Sequence, residues 1–200
     1  MGLTRVHLVA ALVTVAVVAG CDNNRKVLQA FRATSPNQLI GGDVGMARVG
    51  DFIMENDRIR VAVLDVEASP GPGVFGGTLV DADLMRTDSR YRNGNGLDTL
   101  AEVFPFANLL VPKPGSMDVE IVDDGSSGEQ AIVRVSGDGY FFLEALSILR
   151  LDAVIAFFPN TKAFLHFQTD YILEPGKPYV RMVSTIRRND PVPNDQLTQF

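Results

Sequence analysis

The chain has 200 residues, a formal net charge of −6, one cysteine, two histidines and no tryptophan. A mildly acidic chain without a Lys/Arg run lacks the basic face that nucleic acid requires, and it offers no polybasic patch to anionic lipid. Two histidines and one cysteine build no His/Cys zinc cluster, and a lone cysteine has no partner for a disulfide within the chain.

Arg5 gives the start a positive charge, and the apolar run 6–18 that follows is interrupted only by His7 and Thr14. Ala19 and Gly20 then supply small residues at a cleavage point, which is the layout of a secretory signal. The run is shorter than the roughly 20 apolar residues of a membrane span, and Asp22-Asn23-Asn24-Arg25-Lys26 ends it at once. Val18-Ala19-Gly20-Cys21 resembles the lipobox of bacterial lipoproteins. That resemblance implies removal of residues 1–20, a diacylglyceryl thioether on Cys21 and two or three acyl chains. One chain binds a membrane only marginally, whereas two anchor it stably. Asp22 resembles an inner-membrane retention signal of some lineages but not of others, so the choice of membrane stays open. Cleavage leaves 180 residues, enough for one domain. The formal charge moves from −6 to −7 as Arg5 leaves, and His166 becomes the one remaining histidine.

Residues 21–40 are read as the lipidated cysteine and a tether, although Val27-Leu28-Gln29-Ala30-Phe31 has the pattern of a short strand. The domain itself is expected over 41–187. Residues 52–55 and 58–64 read as a hairpin about Asn56-Asp57, a pair that tolerates the positive φ angles of tight turns. In its second strand Ile59, Val61 and Val63 point inward, while Arg58, Arg60 and Ala62 point to water. The Gly/Pro stretch 68–77 (ASPGPGVFGG) is a loop, and residues 78–84 return to strand. Residues 86–96 (RTDSRYRNGNG) form a long polar loop of a kind often used for function.

Residues 117–122 and 130–136 alternate about the turn 123–128 and form a second hairpin. Residues 140–151 (YFFLEALSILRL) mix helix-forming Leu, Ala and Glu with a strand-like Tyr-Phe-Phe start, and a short helix is expected there. Residues 163–173 and 178–187, joined by Glu174-Pro175-Gly176-Lys177, make the last hairpin. The tail 188–200 has no strand pattern. Strands recurring about every ten residues between Gly/Pro turns predict an all-β, antiparallel sandwich with at most that one helix.

Three phrases carry a resemblance: 50–63 (GDFIMENDRIRVAV), 76–83 (GGTLVDAD) and 169–186 (TDYILEPGKPYVRMVSTI). Together they resemble the N-terminal β-sandwich module of large secreted bacterial proteins, similar to the galactose-mutarotase-like supersandwich. In some of those proteins the module precedes a metallohydrolase domain of the polymerase-and-histidinol-phosphatase type. The histidine motifs of that domain are absent here, so its activity is not carried over. The supersandwich is larger than this domain, which leaves open a short family member or a sandwich incomplete at Phe200.

Candidate sites follow from oxygen-rich and cationic clusters. Asp81 and Asp83 share a strand face, and Asp98 and Glu102 follow the long loop, so these four are candidate ligands for a hard cation such as Ca²⁺. Residues 93–98 (NGNGLD) weakly echo the turns of calcium-binding β-rolls, which need tandem copies. The plainer reading of all these acids is turn formation and solvation. Asp123, Asp124 and Glu129 lack the ligand spacing of a helix-loop-helix calcium site and read as a solvated turn. His166 shares a face with Gln168 and Asp170, a spacing that can orient an imidazole, although a structural histidine is the plainer account. The loop 71–77 has neither the ending nor the following helix of a phosphate cradle. Arg90, Tyr91 and Arg92 are candidate ligand-loop residues for an acidic sugar or a protein.

Two functions are in view. The first is a non-catalytic, membrane-anchored envelope module that binds a glycan or a protein. The alternative is the N-terminal module of a larger secreted metallohydrolase or carbohydrate-active enzyme. The absence of tryptophan tells against sugar stacking, which tyrosine and phenylalanine can also provide.

Overall fold

The structure, a computed structural model, describes residues 28–66, 69–71, 73, 75–106, 110–113, 115–142 and 165–188. The signal stretch 1–20, Cys21 and the tail 189–200 lie outside these residues, as does the part of the expected helix from 143 onward.

Alternating apolar residues build two antiparallel sheets. Strands β1 (Gln29–Arg32), β2 (Phe52–Glu55), β3 (Ile59–Val63) and β4 (Leu79–Leu84) pair in that order. In the second sheet, β7 (Ala131–Phe141) pairs with β5 (Leu110–Pro112), β6 (Asp118–Asp124) and β8 (Leu165–Leu173), and β9 (Arg181–Arg188) pairs with β8. Period-two alternation sends Phe52, Met54, Val61 and Val63 from the first sheet into one core with Val133, Val135, Tyr171 and Leu173 from the second. The Tyr171 hydroxyl, fully buried, donates to the Gly77 carbonyl at 2.9 Å and ties the sheets together. The all-β sandwich is therefore the observed architecture.

Four expectations are corrected. Residues 28–40, read as tether, are part of the sandwich: β1 pairs with β2 from Gln29↔Glu55 to Arg32↔Phe52, and Leu28, Ala33 and Ile40 are buried. The face of β3 expected to meet water is covered at Ala62, although Arg58 and Arg60 stay accessible. Ala62, with Ile53 and Val80, packs under Ala33 and Ile40 in a second, smaller core roofed by the chain around 33–47. The hairpin turn needs no positive φ at Asn56 or Asp57. Asn56 is instead fully buried, and its Oδ1 accepts from the backbone N–H of Arg58 (2.8 Å) and Ile59 (2.9 Å). Its Nδ2 donates to the carbonyls of Glu174 (2.6 Å) and Lys177 (2.8 Å), locking this turn to the one between β8 and β9. Finally, Tyr140 and Phe141, expected to start a helix, are the last residues of β7, because β5 supplies ladder partners there.

Among the described residues no strand pairs with the outer edge of β9. Inward residues of β9 follow their partners on β8, so Met182 lies beside Tyr171 and Ile186 beside Phe167, yet Ile186 is exposed. Ile59, Val61, Leu79, Val180 and Met182 line an apolar groove of about 490 Å³ at this edge.

Candidate functional site

The best-furnished depression lies on the outer face of the first sheet. Cross-strand pairing sets Gln29, Glu55, Arg60 and Asp83 in one row across β1 to β4. Gln29 Nε2 donates to Glu55 Oε1 at 2.6 Å, and Arg60 Nε donates to Glu55 Oε2 at 2.7 Å. Arg60 also donates to the Gln38 carbonyl at 2.8 Å, which fixes the 3₁₀ turn Pro36–Gln38 over one end of the row. The other wall is the long loop after β4. Arg86 turns back onto Asp83 through Nε and Nη2, and a second 3₁₀ turn, Ser89–Tyr91, carries the chain up to Arg92 and Asn93. Asn93 sits at φ +56°, a left-handed conformation that asparagine tolerates better than most residues.

Between these walls is a cleft of about 390 Å³, whose lining includes Asn37, Arg60, Arg86, Tyr91, Arg92 and Asn93. Three arginines and two acids (Glu55 and Asp83) face it, so a locally cationic site stands on an acidic chain. Both acids are engaged. Partial burial raises the Asp83 pKa, but hydrogen bonds from Arg86 and from the N–H groups of Leu97 and Leu84 outweigh it, and the carboxyl titrates below its ordinary range. The Tyr91 ring centre lies 5.5 Å from the Arg86 guanidinium carbon and 5.6 Å from that of Arg90, within cation–π range.

The three candidate ligand-loop residues thus divide. Tyr91 and Arg92 line the cleft, whereas Arg90 turns its guanidinium onto Asp88, with Nη2 to Oδ2 at 2.7 Å. Asn37, Glu55, Arg60 and Arg86 were missed by sequence reasoning. Arg60 alone carried a sequence signal, polarity between Ile59 and Val61, which reads equally well as a solvated face; Asn37, Glu55 and Arg86 stand on a turn, a strand end and a loop where polar residues are ordinary.

The four acids considered for Ca²⁺ make separate internal contacts. Asp81 is buried and accepts from the N–H groups of Met46 (2.7 Å) and Ala47 (3.1 Å). Burial pushes its carboxyl pKa up, against those hydrogen bonds, and nearby Asp98 and Asp51 add to the rise. Asp98 is also buried. Its Oδ1 accepts from Ala82 and Leu100 N–H, and its Oδ2 has no partner among the described residues. Asp83 holds Arg86. Glu102 accepts from the hydroxyls of Ser69 (2.7 Å) and Thr78 (2.6 Å) and from Gly73 N–H. Among the described residues no group of three His, Cys, Asp or Glu side chains is placed to hold a metal ion.

Two further motifs have structural explanations. A Cβ at Gly73 would lie 2.6 Å from Glu102 Oε1, so part of the Gly/Pro loop wraps the chain's own carboxylate. The NGNGLD turn is zipped to the loop after Ile40, Gly96 N–H donating to the Ile40 carbonyl at 2.8 Å. His166 meets Asp138 across the sheet, Nδ1 to Oδ1 at 3.2 Å. Asp170, expected as its orienting acid, instead binds Arg134 through two hydrogen bonds of 2.7 and 2.8 Å. Asp123 and Asp124 accept from Gly125 and Ser126 N–H, as a hairpin turn requires.

No protein-family model, curated protein or solved structure matches this chain, so the likeness to the mutarotase-like module gains no support from comparison.

Proposed function

We propose that the chain is an exported lipoprotein, held on the bacterial envelope through acyl chains on Cys21, whose sandwich is a binding module for an envelope glycan. The carrying observation is the cleft: an aromatic side chain, two amides and guanidinium groups converge above a rigid row of cross-strand residues. Such a set suits a hydroxyl-rich ligand, because planar amides and guanidinium groups donate in fixed directions while an aromatic ring excludes water. Most of the donors stand on strands or on turns pinned to strands, so binding needs little ordering.

Two measurements test the two halves of the proposal. Cells fed labelled palmitate should label the protein, and Cys21→Ser should remove both the label and the membrane association; persistence of either overturns the anchor. Titration of the protein with envelope oligosaccharides should give saturable binding that Tyr91→Ala weakens at least tenfold. Binding unchanged by that substitution overturns the site.

A second reading is favoured by the exposed Ile186 on β9 and the apolar groove beside it: the sandwich is one module of a larger secreted enzyme, whose remaining part covers both. Antibody detection in the native cell envelope separates the readings. A band far above 21.7 kDa supports the larger protein, and a band near that mass refutes it.

A further inference from the structure

We infer that the cleft takes a carboxylate-bearing sugar, a uronic acid unit of a glycan, and that Arg92 is the residue that selects it; this rests on the glycan-binding reading above. The charges facing the cleft are unequally committed. Arg60 is committed to Glu55 and to the Gln38 carbonyl, and both sit on the floor with little exposure. Arg86 spends Nε and Nη2 on Asp83. Both lining acids are thereby neutralised, each by its own arginine.

Arg92 differs. Its Nε donates to the Arg86 carbonyl at 2.9 Å, and no acid among the described residues lies within ion-pair distance of it. That backbone contact orients the guanidinium plane at the rim, and neither terminal nitrogen has a hydrogen-bond partner among the described residues, which leaves the fork geometry that pairs with a carboxylate. The surplus positive charge of the cleft is this group. Asn37 and Asn93, on the two opposing walls, supply amide donors and acceptors for the hydroxyls of the same ring. A neutral sugar leaves the guanidinium unpaired, whereas a protein ligand would have to enter a depression only large enough for one or two sugar units. Arg90, one position away in the same loop, is an internal control because Asp88 already neutralises it.

The experiment uses the full chain in detergent micelles, titrated calorimetrically with galacturonate, glucuronate and mannuronate tetrasaccharides. Each is paired with its carboxyl-reduced counterpart, of identical linkage and length but neutral. Reduction of the carboxyls should weaken binding roughly tenfold to a hundredfold, the range for losing a charge-assisted hydrogen bond. Arg92→Gln should weaken acid binding by a similar factor and abolish the preference over the reduced form. Arg90→Gln should stay within about twofold, and a melt of each variant shows whether it is folded. Equal binding of acid and reduced forms, or unchanged binding by Arg92→Gln, overturns the inference while the glycan reading stands. Binding of neither form of any pair overturns that reading, and the inference with it.

Discussion

Asn56 joins the two sheets at one end of the sandwich, and Asn56→Ala removes four hydrogen bonds at once. Two are accepted from Arg58 and Ile59 N–H, and two are donated to the Glu174 and Lys177 carbonyls. At about 1 kcal/mol net for each bond the upper limit is roughly 4 kcal/mol. Arg58 and Lys177 are exposed, so their backbone groups recover water after truncation, whereas Ile59 N–H stays buried. The expected loss is therefore about 3 kcal/mol, or a fall of roughly 6–12 °C in Tm for a domain of this size. The assay is urea unfolding followed by circular dichroism, with Asp57→Ala as control: its Oδ1 accepts one exposed bond from Gly176 N–H, and its loss should cost less than about 1 kcal/mol. Asn56→Asp sharpens the test, because a carboxylate keeps the acceptors but faces two carbonyl oxygens with no proton to give. Its folded-state pKa must rise, so the deficit is smallest below the unfolded value near 3.9 and grows as pH climbs through the raised one. A loss below about 1 kcal/mol in Asn56→Ala, or an Asn56→Asp deficit that shrinks toward neutral pH, refutes the reasoning.

Three more expectations concern burial, close approach and charge. Tyr171→Phe, which strips the buried hydroxyl from its bond to Gly77, should cost about 1–2 kcal/mol in the same assay, leaving the carbonyl unpaired. Burial also pushes this phenol far up, so ultraviolet titration should ionise it only together with unfolding. Gly41 and Gly50 both have positive φ, but a Cβ on Gly41 would lie 1.8 Å from the Gly94 carbonyl oxygen while one on Gly50 meets nothing within 4 Å. Gly50→Ala should cost about 1–2 kcal/mol of backbone strain, and Gly41→Ala at least twice that, with the cleft loops parted. Asp81 has a folded pKa raised mainly by burial, so what it contributes is fully present below its unfolded pKa and is lost as pH rises through the folded one. Relative to Asp81→Asn, the parent should lose stability as pH rises above about 4 in parallel urea melts. An offset independent of pH would falsify that assignment.

Much of the sandwich was legible locally. The alternation in 52–55, 59–63, 118–124 and 165–173, with Asp, Asn, Gly and Pro between, determined three hairpins, because period-two patterning needs only neighbouring residues to be expressed. The same rule placed Ile59, Val61 and Val63 in the core. It misplaced Ala62 because pleating says which residues share a face and not what covers it; only the return of residues 33–47 buried that side. Tyr140-Phe141 was ambiguous for a similar reason: intrinsic preference was divided, and pairing with β5, some 30 positions earlier, decided for strand.

The cleft shows the same division. The sequence alone marked Tyr91 and Arg92 as exposed polar-loop residues, but could not separate them from Arg90, since the difference is whether an acid stands within reach. Tertiary structure drew Asn37 and Arg60 in from a turn and a strand far along the chain, while local turn geometry set Asp88 against Arg90 and gave Asp83 to Arg86, two and three positions apart. It likewise turned Asp81, Asp98 and Glu102 from candidate ligands into acceptors for internal N–H and hydroxyl groups. Side-chain type is a property of one residue, whereas charge balance and burial belong to the set of residues brought together, and that set is assembled by loop geometry at close range and by strand pairing at long range.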